Sequence, residues 1–311
     1  MVGEYRSSSM LTTVIICSRN GERMLARSIE RVLASLEDAG GGELILVDSA
    51  STDGTLAVMR AVQADPRTSV IALPAAGQAI ARNAGLCAAQ GEVVLFTDDD
   101  VLVPVHWVAA LSAPLAAGAH LVAGAVHLAP DLTYGLSLRQ CELLADTRYM
   151  NLAGPRPRTV VGASMGLRRD LVDLGFRFEP ALGPGAIGFM DDSFFHTQVV
   201  EAGGSAVLVE DAPVEHHPRA VRLTEAMWDR RAYQQGMSEA WIQHHWRHER
   251  PSLRDLRAFA AAEVRGLGQP RRTEHADTAD IQRARGLSHW WLRNWAAPRR
   301  YRRREVPARL G

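Results

Sequence analysis

Apolar positions follow two alternating rhythms along this chain. "LTTVIICS" at residues 11–18 is a continuous β-rich run, the pattern of a strand buried on both faces of a parallel sheet. After the polar break "RNGE", the stretch "RMLARSIERVLASLEDAGGG" sets Leu25, Ile29, Val32, Leu33 and Leu36 at helical spacing before a glycine stop. The alternation then recurs. "ELILVDSA" predicts a second strand, and "STDGTLAVMRAVQAD" a helix entered through Ser and Asp caps. "TSVIALP" predicts a third strand, "AIARNAGLCAAQG" a helix ending at Gly91, and "EVVLFTDDD" a fourth strand. Strand and helix alternating in this way predict an α/β fold with an open, mostly parallel sheet flanked by helices.

The second half is less regular. "TVVGASMGLRRDLVDLG" predicts a short strand and a helix. "FRFEPALGPGAIGFMDDSFFHTQVVEAGG" predicts a glycine-rich loop and then a helix opened by Asp191 and Asp192. "SAVLVEDAPVEHHP" predicts a strand ending at a histidine pair, and from "LTEAMWDRRAYQQGMSEAWIQHHWRHER" onward the pattern is helical. "LAAGAHLVAGAVHLA" comes nearest to a membrane span, but it is short of the roughly 20 residues required and is broken by glycines and histidines.

Composition narrows the chemistry. All 35 basic residues are arginine, so lysine Schiff-base and phosphate-loop lysine mechanisms are excluded. Net charge is zero, yet residues 251–311 carry 14 Arg against 6 acids, a net of +8 that leaves −8 on the first 250. Cys17, Cys87 and Cys141 are widely spaced and odd in number, which suggests neither a disulfide framework nor a zinc site. "MVGEYRSSSM" has no apolar core for a signal peptide, so a cytoplasmic location is expected.

Open parallel sheets bind ligands at the carboxyl ends of their strands. Those ends here are Ser18–Arg19–Asn20, Asp48–Ser49 and Asp98–Asp99–Asp100, each polar or acidic after an apolar strand. Three consecutive acids repel one another, and a solvated turn, a helix cap or a bound cation would each make the placement tolerable. In extended backbone Asp98 and Asp100 share a side, and oxygen ligands in an open site suit Mg²⁺ or Mn²⁺ shared with substrate phosphates.

The ordered series "VIICSRNGERMLARSIERVLASL", "LILVDSASTDGT" and "AIARNAGLCAAQGEVVLFTDDD" resembles the family-2 glycosyltransferases of GT-A fold. The likeness is dense over residues 11–110 and continues more loosely to about residue 220 through "VVGASMGLRRDLVDLGFRFEPALGPG", "MDD" and "VEHH". It implies an enzyme: an inverting, metal-dependent glycosyltransferase that moves a sugar from a nucleoside diphosphate sugar, expected to be UDP-type, to an acceptor hydroxyl. By position, Ser18 and Asp48 would border the base, and Arg82 and Asn83 would lie near the sugar diphosphate. Asp98 and Asp100 would hold Mn²⁺ or Mg²⁺, with Asp99 an alternative contact to ribose. His216, rather than His217, would be the third metal ligand. Asp192 would be the general base, with Asp191 standing where Glu is usual. Asp53 in "STDGT" would be structural. Two departures stand out: Ser49 replaces a second acid, and Gly21 sits where many members have a bulkier residue.

The expected organisation is a GT-A domain over residues 1–220. Residues 11–110 form its nucleotide-sugar half and 111–220 its acceptor and catalytic half. A helical, Arg-rich extension follows at 221–311. In "WIQHHWRH", His244 and His248 have chelating spacing but fit polar positions of an amphipathic helix better. Trp290, Trp291 and Trp295 beside Arg293, Arg299, Arg300, Arg302, Arg303 and Arg304 suit either docking on the catalytic domain or peripheral contact with the inner face of a membrane. No nucleic-acid partner is expected, since nothing upstream resembles such a module. The acceptor is open: glycan, lipid-linked intermediate or small molecule. Two rival readings are a degenerate member that binds nucleotide sugar without turnover, and nucleotidyl transfer. The latter usually opens with a glycine-rich basic loop, whereas "CSRNGERM" has one glycine.

Overall fold

The computed structural model describes residues 11–132, 136–150, 159–252, 257, 275–302 and 306–310. The N-terminal "MVGEYRSSSM" and the tail arginines Arg303 and Arg304 lie outside them. The first half holds β1 (Thr12–Ser18), α1 (Glu22–Asp38), β2 (Glu43–Ser49), α2 (Thr55–Ala61), β3 (Thr68–Leu73), α3 (Gln78–Ala88) and β4 (Val93–Asp98). The remainder holds β5 (Val101–Leu102), α4 (Trp107–Ala116), β6 (Leu121–Leu128), α5 (Leu138–Leu143), β7 (Ser164–Arg168), α6 (Asp170–Asp173), α7 (Asp191–Glu201), β8 (Ala206–His216), α8 (Glu225–Ile242) and α9 (His275–Asn294).

One eight-stranded sheet runs in the order β3-β2-β1-β4-β7-β6-β8-β5. The first four of these strands are parallel, and β7 enters antiparallel against β4. Every residue of β1 is buried because alternate side chains feed opposite layers. Val14 and Ile16 pack with Leu25, Ile29, Val32 and Leu36 of α1. Ile15 and Cys17 face the other side, with Ala81 and Leu86 of α3. The apolar run and the helical spacing therefore describe two halves of one contact.

Register puts the polar strand ends on one rim: Ser18 pairs with Asp48 across β1–β2, and Cys17 with Asp98 across β1–β4. Local ties hold that rim. Asn20 Oδ1 accepts from Thr52 N–H at 2.8 Å, and Gly21 N–H donates to Thr55 Oγ1 at 2.9 Å. Asp53 accepts from Thr55 N–H at 3.0 Å, closing the turn into α2. α2 itself has Gly54 at its N-cap and no side-chain cap, in place of the Ser and Asp caps expected.

The irregular half differs from the sequence pattern in two ways. "LAAGAHLVAGAVHLA" becomes the end of α4, a turn at Gly118 with φ +104°, and the buried strand β6. The helix expected in "RRDLVDLG" is a single turn, Asp170–Asp173.

The extension packs onto the sheet domain. Trp241, Trp246, Trp290 and Trp291 form a cluster with Leu182 and with Phe194 of α7. Trp246 Nε1–H donates to Glu201 at 2.9 Å, and Leu310 returns to the core beside Ala202. Trp290 and Trp291 are thus docked, whereas Leu292 and Trp295 stay exposed. His244 and His248 each donate Nε2–H at 2.9 Å to a backbone carbonyl of the returning segment, Ala297 and Tyr301. No helix among the described residues is long and apolar enough to cross a membrane.

α8 and α9 cross where Gly236 meets Arg283 and Gly286 meets Tyr233. A Cβ at either glycine would lie 1.9 Å from a carbonyl oxygen of the partner helix. Gly286→Ala is expected to force the helices apart and cost about 1–3 kcal/mol. Urea unfolding measures this, and an unchanged midpoint would refute the close crossing.

Candidate active site

The aligned strand ends open into a cleft of about 660 Å³, walled by Asp98, Asp99 and Asp100 on one side and by Met190, Asp191 and Asp192 on another. Its floor includes Arg82 from α3 and Gly162 from the segment before β7. His216 reaches it from the end of β8, Arg219 and Arg222 from the 3-10 turn that follows, and Arg231 from α8. Sequence reasoning placed seven of these residues at a site: Arg82, Asp98, Asp99, Asp100, Asp191, Asp192 and His216.

The three consecutive acids have three different surroundings. Asp98 Oδ1 lies 3.8 Å from Arg82; burial raises its carboxyl and the guanidinium opposes that. Asp99 accepts from the Ser18 hydroxyl, and burial with its neighbour Asp100 pushes it up to about 7. Burial would also raise Asp100, but His216 at 3.5 Å and Arg222 at 3.2 Å outweigh it and hold this carboxyl well below the usual range. This arrangement explains Gly21: a Cβ there would lie 1.9 Å from an Asp99 oxygen and 2.4 Å from Ser18 Oγ.

Arg82 is the link to the second half. Its guanidinium donates to Asp191 at 2.7 Å, and both side chains are buried. Gly162 makes room for it, since a Cβ would sit 1.8 Å from an Arg82 nitrogen. Sequence reasoning missed Gly162, because only the fold brings it under a side chain from α3. Asp191 and Asp192 open α7 after Met190, whose φ of +70° is a left-handed, costly conformation for a non-glycine residue. Burial raises the Asp191 carboxyl while Arg82 pulls it back. Asp192 lines the cleft and is oriented by N–H groups of Gly162 at 2.8 Å and Ser193 at 2.7 Å.

Three expected donor contacts have internal partners. Asn83 does not line the cleft: its amide donates to Phe178 O at 2.8 Å and accepts from Phe178 N–H at 2.9 Å, a backbone-like clamp. Ser18 is spent on Asp99, and Asp48 accepts from Ser51 N–H at 3.3 Å; neither is among the lining residues. Cys17 does line it, but burial pushes the thiol up to about 12, so it supplies no thiolate.

For a cation, His216 offers the telling detail. Its Nδ1–H donates to Leu144 O at 2.9 Å, so Nε2 faces Asp100 at 3.5 Å, where it holds the carboxylate as imidazolium or, once deprotonated, gives its lone pair to a cation. That Nε2 is buried without a hydrogen-bond partner. Asp100 with His216 therefore fits two ligand positions of a hard divalent ion whose remaining ligands are phosphate oxygens and water. Among the described residues no three such side chains are gathered into a complete set. His217 faces away, toward Glu215 at 2.5 Å.

The family model "Glycosyl transferase family 2" matches residues 13–176, which is 164 of the 311. The chain belongs to that family, a class of glycosyltransferases, and its sheet and cleft are those of a GT-A fold. Over 98 residues it is 41% identical to an uncharacterized glycosyltransferase of Nostoc, covering 30% of each chain. Over 89 residues it is 36% identical to the succinoglycan biosynthesis protein ExoO of Rhizobium meliloti, covering 28% of this chain and 25% of that one. The matched region thus spans less than a third of these relatives.

Among solved structures, a mannosyltransferase from Pyrobaculum calidifontis in complex with GDP-Man and Mn²⁺ superposes with a TM-score of 0.59 at 20% identity, over 92% of this chain and 87% of that one. Glucosyl-3-phosphoglycerate synthase from Mycobacterium tuberculosis with Mn²⁺, UDP and phosphoglyceric acid gives 0.50 at 21%, over 70% and 74%. S. aureus TarS 1-349 gives 0.50 at 19%, over 73% and 65%. Identities this low speak for the fold.

Arg82→Met is expected to leave Asp191 and Asp98 without counter-charge and to destabilise by about 3–5 kcal/mol, while Arg82→Met/Asp191→Leu recovers part of that loss. Urea unfolding of the three proteins checks both statements. A single variant as stable as wild type would contradict the bridging role.

Proposed function

We propose that this glycosyltransferase moves a sugar from a nucleoside diphosphate donor to an acceptor hydroxyl with inversion, using Asp192 as general base and a divalent cation held at Asp100 and His216. The observation that carries the reading is that one cleft contains two chemically distinct stations. One is a carboxylate beside an imidazole whose Nε2 lacks a partner; the other is a backbone-oriented carboxylate at the start of α7.

The two tasks need different groups. A departing nucleoside diphosphate accumulates negative charge, and a divalent ion bound there supplies the neutralisation. Arg222, already beside Asp100, adds a guanidinium suited to phosphate oxygens. On the acceptor side a proton must leave as the new bond to the anomeric carbon forms and the bond to the diphosphate breaks. Asp192 accepts that proton. Asp191 cannot share the task while its carboxylate is committed to Arg82.

The donor is proposed at the level of a nucleoside diphosphate sugar. A UDP-type donor was expected from Asp48, but Asp48 turns toward Ser51, and the superposed enzymes were solved with GDP-Man and with UDP.

Asp192→Asn should abolish transfer, with donor affinity by calorimetry within about twofold of wild type; parallel loss of both would count against the base assignment. Chelation should stop turnover and Mn²⁺ or Mg²⁺ should restore it. His216→Ala should raise the metal concentration needed for half-maximal rate by about 10–100-fold, and an unchanged metal titration would remove His216 from the ligand set.

A further inference from the structure

Arg231, on α8, is a cleft arginine with no carboxylate within ion-pair distance among the described residues; Arg219 also has none, but its guanidinium donates to the backbone carbonyls of Asn20 and Arg19. Arg82 has Asp191, and Arg222 has Asp100. Arg231 has only a backbone carbonyl and a ring. It donates to Leu143 O at 2.5 Å, and its guanidinium lies 4.8 Å from the centre of the Phe189 ring. Its Nε is buried with no partner.

That arrangement is unfavourable for the protein alone. A guanidinium removed from water is stable only when anions or hydrogen-bond acceptors surround it. Burial pushes Arg231 down to about 9, Arg222 pushes the same way, and Asp100 opposes them only in part. Phe189 supplies a cation–π contact but no hydrogen-bond acceptor. The fork of N–H groups is matched by a phosphate or carboxylate, which can accept two of them at once.

Asp100 and Arg222 are near enough to act on Arg231's charge, but the groups that hold its guanidinium lie on the acceptor side. Arg222 and His216 already stand at Asp100. The two groups that hold Arg231 come from elsewhere: Leu143 ends α5, and Phe189 lies three residues before Asp192, on the loop that delivers the base. Gln235, one turn further along α8, lines the same wall. An anion at Arg231 would therefore accompany the hydroxyl presented to Asp192.

We propose that Arg231, laid on Phe189, forms a subsite for a phosphate or carboxylate group carried by the acceptor; this rests on the glycosyl-transfer reading of the same cleft. The acceptor is then an anionic molecule. Arg231 selects it against neutral ones.

Inorganic phosphate is the probe, titrated by calorimetry and thermal shift into protein saturated with Mg²⁺ and either UDP or GDP, and also into nucleotide-free protein. Wild type should bind phosphate, and Arg231→Met should bind it at least tenfold more weakly while keeping nucleoside diphosphate affinity within twofold. Without ligand, Arg231→Met should melt at or above wild type, because a partly buried charge without a carboxylate partner has gone; a merely structural arginine would give a lower Tm. Arg231→Gln repeats the comparison if the Met variant does not fold. Equal phosphate affinity in wild type and variant overturns the proposal, as does no phosphate binding by wild type. A loss confined to nucleoside diphosphate also overturns it, by making Arg231 a donor ligand. Wild type that binds phosphate but neither nucleotide would instead defeat the glycosyl-transfer reading.

Discussion

Arg82 leaves α3 between Asp98 of the first half and Asp191 of the second, and its burial makes that bridge obligatory, since a lone guanidinium there would cost several kcal/mol. The consequences spread outward. Residue 162 has to be glycine to admit the guanidinium, and Gly162 N–H then orients Asp192. Asp191 is fixed at the first turn of α7, so Asp192, one position later, is held at a defined point of the cleft. A single ion pair thus sets the relation between the strand-end acids and the helix that Asp191 and Asp192 open.

The run Asp98–Asp99–Asp100 becomes tolerable by the same logic of local compensation. One carboxyl faces a guanidinium, one takes a serine hydroxyl and drifts toward neutrality, and one is held ionised by imidazole and arginine. Uniform repulsion is replaced by three unlike environments. Only the last of these combines a strongly acidic carboxylate with an imidazole nitrogen that has no partner. The position suited to a hard cation is therefore narrower than the acidic motif itself.

Much of this was legible in the residues. Apolar runs and helical spacing located β1 to β4 with α1 to α3 because each was buried against the next. Polar residues after those runs marked the rim, and the acids opening α7 were visible as a pair after a glycine-rich loop. What escaped had non-local causes. β6 was hidden because small residues and histidines dilute its apolar signal. Asn83 was misplaced because an amide suited to a ligand serves equally well to bind the backbone of Phe178, 95 positions away. Gly162, Arg222 and Arg231 carried no local mark. Their roles arise only where later segments fold back onto Arg82, Asp100 and Leu143.

The extension's tryptophans have a practical corollary. Six of the seven in the chain lie at or beyond residue 228; the other, Trp107, is sealed in the sheet domain with its indole N–H on Ser164. Trp241 and Trp246 meet Phe194 edge-on, on the helix that Asp191 and Asp192 open. Intrinsic emission from this molecule therefore comes mostly from the extension, with Trp241 and Trp246 at its contact with α7. Spectroscopy with no added label would follow movement where the extension meets α7 and remain nearly blind to β1 through β4.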